Sequence, residues 1–260
     1  MIDCLYRRLP ADGEFQVFES TDGTRSNWDT EIQHGSPPLA LMTKAIEELA
    51  APPLRIGRLT LDILGAIPVA PVRVRAWAVR PGARIALLCA ELTPVGSERP
   101  VARVTAWLLA TSHTGDVASD RHLPLHEGEA MPVPHAWPGA PGYLETVRWR
   151  QQVATGGASA EAWLSPLVPL VDDEPVTDVE RLAMVVDSAN GVGAALDPDE
   201  FVFMNTDTTV HLHRVPSGID FALRARASIG PDGIGVTTAD LFDRQGFIGT
   251  AAQTLLVLRR

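Results

Sequence analysis

Apolar and polar residues alternate along much of this chain, and the alternating stretches form two similar series. Period-two alternation is typical of half-buried β-strands, and Pro-Gly or Pro-Asp-Gly sequences between such stretches are typical of turns. The two series align at residues 58–68 and 206–216, which end in Pro68 and Pro216, 148 residues apart. Alternating stretches then follow at 72–79 and 101–109 in the first series, and at 221–227 and 248–258 in the second. The pattern predicts a duplicated fold, and the unusual polar residues are concentrated in the second copy.

Two other stretches carry apolar residues at helical spacing. Residues 39–49 follow Ser36-Pro37, where Ser36 is the predicted N-cap and Pro37 the first helical residue. The second helix follows Thr177-Asp-Val-Glu180, which matches a capping box. Each half is therefore predicted to contain two strands, a helix and four further strands. A helix followed by a run of antiparallel strands indicates an α+β domain in which the sheet covers the helix.

A segment rich in proline and glycine separates the two series. Residues 113–142 contain five prolines and four glycines and show no periodicity, which favours a linker on the surface. The expected division is an N-terminal domain over 1–112, a linker over 113–142 and a C-terminal domain over 143–260.

Composition limits the function classes. The chain has 260 residues, 45% of them hydrophobic, which is enough for a core in each half, and a net charge of −10. That charge argues against a nucleic-acid partner, because backbone phosphates require a broad cationic surface. No apolar run is long enough to cross a bilayer, so no membrane association is expected. With only Cys4 and Cys89 and no disulfide framework, the expected compartment is the cytoplasm.

Besides the order of elements, three features of the sequence are distinctive. They are the His34-Gly35-Ser36-Pro37-Pro38 start of the first helix, the segment 205–214, and Gln253 within the last strand. Together these features resemble the tandem (double) hotdog acyl-CoA thioesterases related to acyl-CoA thioesterase II. The resemblance covers nearly the whole chain apart from the linker. It implies two hotdog domains in tandem, each an antiparallel sheet wrapped around one long helix. It also implies a hydrolase of lipid metabolism that acts on acyl-CoA and needs no cofactor.

In that family the active site lies between the two halves and uses an Asp, a Ser or Thr, and a Gln, all from the second half. The resemblance places the Asp at Asp207, seven residues before Arg214, the hydroxyl at Ser228, and the Gln at Gln253. Some relatives also use a first-half His, where this chain has Leu59 and Thr60.

These residue types suit thioester hydrolysis. An ionised Asp207 can take a proton from the attacking water, while Ser228 and Gln253 hold that water and the carboxylate. His34, Gly35 and Ser36 are the predicted substrate-binding residues, because backbone N–H groups at a helix N-terminus suit an oxyanion.

The strand pattern conflicts with part of this assignment. In an unbroken strand Asp207 and Thr209 share one face, whereas Val210 faces the core. Asp207 and Ser228 would then point away from the helix of their own half, so the other half or a bulge must close the site.

Each candidate also has a structural interpretation. Asp207 suits a strand start, Ser228 a turn, Gln253 a satisfied edge position, and His34 a residue bonded to local backbone. Residues 187–193 look like a glycine loop, but they follow a helix and are better interpreted as its C-terminal cap. His122 and His126 have metal-like spacing, yet Pro124 between them disfavours a shared helix, and no metal is expected.

Two alternative functions stay open. One is a non-catalytic hotdog protein that binds acyl-CoA or an acyl chain, and the other is a hotdog enoyl-CoA hydratase. Association into a homodimer or higher homo-oligomer through exposed sheet edges is a further expectation.

Overall fold

Antiparallel strands make up most of the molecule. The computed structural model describes residues 2–50, 53–125, 129, 141–152 and 160–260. Within these residues the strands are β1 (Tyr6–Asp12), β2 (Phe15–Ser20), β3 (Leu54–Ile63), β4 (Pro71–Arg80), β5 (Ile85–Pro94), β6 (Ala102–Ala110), β7 (Val147–Gln152), β8 (Ala160–Pro166), β9 (Phe201–Asn205), β10 (Asp207–Leu212), β11 (Phe221–Ile229), β12 (Ile234–Asp243) and β13 (Gly246–Arg259). The helices are α1 (Ser36–Leu49), α2 (Asp178–Val186) and α3 (Ala189–Val192).

One continuous sheet contains the strands of both halves. Its order is β1-β2-β4-β5-β6-β3-β10-β13-β12-β11-β8-β7, and β9 pairs with β13. The halves join where β3 pairs antiparallel with β10, with Leu61 opposite Thr208 and Leu59 opposite Val210. The predicted α+β class and tandem hotdog fold are confirmed.

Helix α1 begins at Ser36, one residue earlier than the predicted first helical residue, Pro37. Gly35 is the N-cap without a side-chain hydrogen bond, and Ser36 is already the first helical residue, followed by Pro37 and Pro38. Proline is favoured in a first helical turn because the N–H groups there have no intrahelical partner. The prediction of Ser36 as N-cap was therefore wrong by one position.

The helix of the second half is divided. It starts as predicted: Thr177 Oγ1 accepts from Glu180 N at 3.1 Å, and Glu180 Oε2 accepts from Thr177 N at 3.2 Å. However, α2 ends at Val186, and α3 starts at Ala189. The single long helix expected in this half is thus interrupted at Asp187-Ser188, a break that determines the position of the Asp187 side chain.

A shared core connects the two halves. Helix α1 packs against α2 and against β4, β5 and β6, whereas α3 packs against β11. One cluster of buried apolar side chains includes Met42 and Leu61 from the first half and Leu182 and Leu241 from the second. The halves therefore do not bury their apolar faces separately.

Part of the predicted linker lies on the sheet of the second half. Leu125 packs against a cluster that includes Trp163 and Phe247, and Arg224 Nη2 donates to Leu123 O at 2.8 Å. Residues 126–128, 130–140 and 153–159, which include His126 and a predicted turn at 155–159, lie outside the described residues. The domain division at 112 and 142 stays a prediction. No helix in the described part of the chain is long and apolar enough to span a membrane.

Candidate functional site

A cavity of about 920 Å³ lies between the two halves. The first half lines it with residues 26–28, 32–35 and 63–67 except Leu64, and the second half contributes residues near β7, β8, α3 and β9. Trp28, Ile67, Phe203 and Leu256 form part of its apolar wall. The volume is within the range of about 300–1,000 Å³ that is typical of ligand sites.

The carboxylate of Asp187 lies at the wall of this cavity, in the break between α2 and α3. Its Oδ1 accepts hydrogen bonds from Thr208 Oγ1, from Asn205 Nδ2 at 2.7 Å, and from Gln253 Nε2 at 3.2 Å. Gln253 Nε2 also donates to Thr208 Oγ1 at 2.9 Å and to the Asp187 backbone oxygen at 2.9 Å. Asp187, Thr208 and Gln253 thus form one buried hydrogen-bonded cluster.

Strand geometry brings Thr208 and Gln253 beneath Asp187. Side chains alternate between the two faces of a strand, so Thr208 faces the interior together with Val210, and Gln253 together with Ala251 and Leu255. Strands β10 and β13 are neighbours in the sheet, which places both polar side chains under the end of α2.

The two oxygens of the Asp187 carboxylate have different surroundings. Oδ1 carries all the hydrogen bonds, whereas Oδ2 accepts none within the described residues; His34 Nδ1 is 3.8 Å from it. Oδ2 is also not fully buried, so a molecule in the cavity can reach it. The cluster therefore fixes one oxygen and leaves the other available to a molecule in the cavity.

The start of α1 meets Asp187 from the first half. Ser36 N–H donates to His34 Nδ1 at 3.1 Å, and prolines 37 and 38 have no N–H. In the described part of the chain Gly35 N–H has no hydrogen-bond partner. A Cβ atom on Gly35 would overlap the Asp187 carboxylate, so only glycine permits this approach.

His34 is held between the two halves. Its ring stacks on Tyr143, with centroids 3.9 Å apart. The Tyr143 hydroxyl donates to Met184 O at 2.9 Å and lies 3.2 Å from Ser36 Oγ and 2.8 Å from Ser188 Oγ. Burial lowers the pKa of His34, although the charge of Asp187 opposes this effect, and burial raises the pKa of Tyr143.

Comparison with known families decides the relationship. A model of the acyl-CoA thioesterase N-terminal domain matches residues 24–109, and a model of the acyl-CoA thioesterase C-terminal domain matches residues 125–257. The chain belongs to the acyl-CoA thioesterase family. No curated protein matches it.

Solved structures show the same fold over nearly the whole length. A hotdog protein of unknown function from Alicyclobacillus acidocaldarius has a TM-score of 0.71 and 16% identity, over 97% of this chain and 95% of that one. A putative thioesterase II from Thermobifida fusca has a TM-score of 0.68 and 16% identity, over 98% of this chain and 95% of that one. The acyl-CoA thioesterase II TesB2 from Mycobacterium marinum has a TM-score of 0.67 and 12% identity, over 97% of this chain and 96% of that one.

Of the three catalytic residues predicted for this acyl-CoA thioesterase family member, only Gln253 lies in the Asp187 cluster. Asp207 is on the opposite face of β10 from Thr208, and its Oδ1 accepts from Thr254 N at 3.0 Å and from Thr206 Oγ1 at 3.2 Å. Ser228 is exposed on β11. Neither is a hydrogen-bond partner of Gln253 within the described residues, so the predicted convergence of these three side chains is not found.

The predicted substrate-binding residues do lie together. His34 and Gly35 line the cavity, whereas Ser36 is buried beside it and its backbone N–H is occupied by His34. Among the described residues, the backbone N–H at this helix start that has no partner is thus that of Gly35 rather than Ser36. Sequence reasoning missed Asp187 and Thr208. Thr208 could have been found, because it lies two residues before Val210 in the same strand and therefore faces the core with it.

In the described ranges no group of three or more His, Cys, Asp and Glu side chains is arranged to hold a metal ion.

Proposed function

We propose that the protein hydrolyses acyl-CoA thioesters, with Asp187 as the general base. The observation that supports this is the asymmetric Asp187 carboxylate: Oδ1 is held by three donors, and Oδ2 is left at the cavity beside Gly35, whose N–H has no partner among the described residues. A fixed carboxylate next to a free backbone donor can position a water and the carbonyl group that it attacks.

In the proposed reaction, Asp187 Oδ2 takes a proton from a water as the water oxygen bonds to the thioester carbonyl carbon. The resulting oxyanion accepts a hydrogen bond from Gly35 N–H, where the dipole of α1 also favours negative charge. The carbon–sulfur bond then breaks, and the Asp187 carboxylic acid returns its proton to the departing thiolate. The products are a free acid and CoA.

Thr208, Asn205 and Gln253 orient the base in this mechanism. Their three hydrogen bonds converge on Oδ1, so the carboxylate plane is fixed before substrate binds. The apolar wall that includes Trp28 and Phe203 would receive the acyl chain. This substrate class would assign the enzyme to lipid metabolism, with the cytoplasm as its expected compartment.

The test compares two Asp→Asn variants in an assay of thiol release from a panel of acyl-CoAs. Asp187→Asn should lower kcat by about 10²–10⁴-fold, the usual contribution of a positioned base, while affinity for acyl-CoA is retained. Asp207→Asn is the matched control and should keep its activity, because an Asn oxygen can still accept from Thr254 N–H. Loss of activity in Asp207→Asn alone would favour the sequence-based assignment instead.

A hydratase is the second candidate, and one observation favours it. His34 Nδ1 lies 3.8 Å from Asp187 Oδ2, and a His and a carboxylate at one cavity can exchange protons with an acyl chain. Incubation with an enoyl-CoA distinguishes the two activities: a hydratase yields a hydroxyacyl-CoA without free thiol. A protein that only binds acyl-CoA would produce neither product.

A further inference from the structure

We propose that His34 donates a hydrogen bond from its Nε2–H to the thioester carbonyl oxygen, and that Tyr143 is the positioning residue that orients this imidazole. The inference rests on the proposed hydrolase function and deepens it. It would give the oxyanion two donors from consecutive residues of the first half, His34 and Gly35, facing a base from the second half.

The hydrogen bond from Ser36 fixes the tautomer of His34. Ser36 N–H donates to Nδ1 at 3.1 Å, so Nδ1 is the acceptor and a neutral ring carries its proton on Nε2. Nε2 has no hydrogen-bond partner in the described residues. It is also not fully buried. Because His34 lines the cavity, this donor is available to a bound substrate.

The surroundings favour the neutral ring. Burial lowers the pKa of His34, and Asp187, whose charge opposes this shift, is 3.8 Å from Nδ1. Within the described residues, the other titratable groups near His34 are Tyr143, which stacks on it and whose pKa is raised by burial, and Glu145 at the cavity wall. A neutral imidazole whose pKa is lowered at a helix N-terminus is a known way to polarise a substrate carbonyl.

Tyr143 restrains the ring in two ways. Its own ring lies nearly parallel to that of His34, at 11°, which limits rotation out of the plane. Its hydroxyl contacts Ser36 at the start of α1 and Met184 and Ser188 around the end of α2. The same side chain thus orients His34 and holds the two helix ends that carry Gly35 and Asp187.

The test uses three substitutions of these two residues. His34→Ala should lower kcat by about 10²–10³-fold, the usual cost of removing one oxyanion donor, with little change in KM. His34→Gln should recover part of that loss, because its amide nitrogen can donate but cannot titrate. Tyr143→Phe keeps the stacked ring and loses the hydroxyl contacts, so it should lower kcat less than His34→Ala.

The pH profile tests which protonation state of His34 is active. Because the donor is the neutral ring, wild-type kcat should have no descending limb as the pH rises from about 6 to about 8 around the ordinary His pKa of about 6.5. A limb that descends there and disappears in His34→Gln would show that the imidazolium is the active form, and would overturn the proposal.

Controls separate this inference from the proposed function. His211→Gln, on the exposed face of β10, should retain wild-type kcat. Affinity for a thioether analogue of acyl-CoA and the circular dichroism spectrum establish that each variant is folded. If Asp187→Asn is inactive while His34→Ala matches the wild type, only the donor role of His34 fails. If Asp187→Asn is fully active, the role of Asp187 as general base fails, and if the wild type releases no thiol from any acyl-CoA, the proposed function itself fails.

Discussion

Gly35 is the residue whose absent side chain allows the two halves to share a site. A Cβ atom there would overlap Oδ2 of Asp187, which is the oxygen proposed to take the proton. Since Asp187 is held by Thr208, Asn205 and Gln253, it cannot move away without breaking hydrogen bonds. A side chain at position 35 would therefore disturb both the packing of the two halves and the proposed proton acceptor.

Gly35→Ala should reduce kcat strongly, because the new methyl group displaces either the carboxylate or the start of α1. A displacement of about 1 Å in a positioned group can cost about 10²-fold in rate. The measurement is kcat for thiol release, together with a thermal melt that identifies the folded fraction. Gly115→Ala is the control, since a Cβ there meets its nearest neighbour, His113, at an ordinary 3.7 Å. Full activity in Gly35→Ala would contradict the close approach of α1 to Asp187.

At the scale of elements, α2 begins with a buried charge. Glu180 is 2% exposed, and burial raises its pKa to about 7, while Lys44 on α1 lowers it and Glu47 and Glu48 raise it. In the unfolded chain the same carboxyl would titrate near 4.5. Below about pH 4.5 both states are protonated, and no penalty arises. As the pH rises from 4.5 to about 7 the unfolded state loses its proton first, so stability falls, and above about 7 the penalty is complete.

Glu180→Gln should therefore increase stability at high pH. Glutamine can keep the capping box, so the substitution removes mainly the ionisation. A difference of about 2.5 pKa units corresponds to at most about 3 kcal/mol, and it should be present at pH 8 and absent near pH 4. Urea unfolding of both proteins across this range measures it, with Glu19→Gln on the exposed face of β2 as the control for loss of one negative charge. A difference that is independent of pH would contradict burial of an ionisable Glu180.

Strand periodicity also explains what the sequence could and could not predict. The alternation correctly indicated that Val210 faces the core and Asp207 does not, and the same parity pointed to Thr208. The aligned prolines gave an offset of 148, but this offset matches buried Val104 of β6 with exposed Ala252 of β13, whereas the adjacent Gln253 is buried. A one-residue shift in a strand exchanges its two faces. The inward positions of β3 and β6 include Leu59, Leu61, Val104 and Ala106, so the first half has apolar residues where the second has its polar cluster.

Asp187 was harder to predict, because its position depends on the break between α2 and α3. Capping residues and apolar spacing predicted where α2 begins. The same local signals made residues 187–193 look like an ordinary helix end. Only the packing of that end against β10, β13 and the first half shows that the Asp187 carboxylate reaches Thr208, Gln253 and the cavity. Contacts between distant segments leave no periodic pattern in the sequence.

For the whole molecule, the shared core and the β3–β10 junction predict that the two halves form one folding unit. Chains of this length often unfold domain by domain, so a single transition would be informative. We expect one thermal transition in calorimetry, with equal calorimetric and van't Hoff enthalpies, despite the internal duplication. Association between chains stays a prediction, and protein concentration must be held constant in the comparison.

A matched pair of core substitutions tests this unity. Leu61 of β3 and Leu241 of β12 are both fully buried, one in each half. Leu61→Ala and Leu241→Ala should each lower the free energy of unfolding by about 2–5 kcal/mol, through lost burial and the cavity left behind. Because the core is continuous, each should shift the same transition, and the shift should be equal whether tryptophan fluorescence or far-ultraviolet circular dichroism is followed. Two separate transitions, each moved by only one of the substitutions, would mean that the halves fold independently and that the cavity between them lies at a mere domain contact.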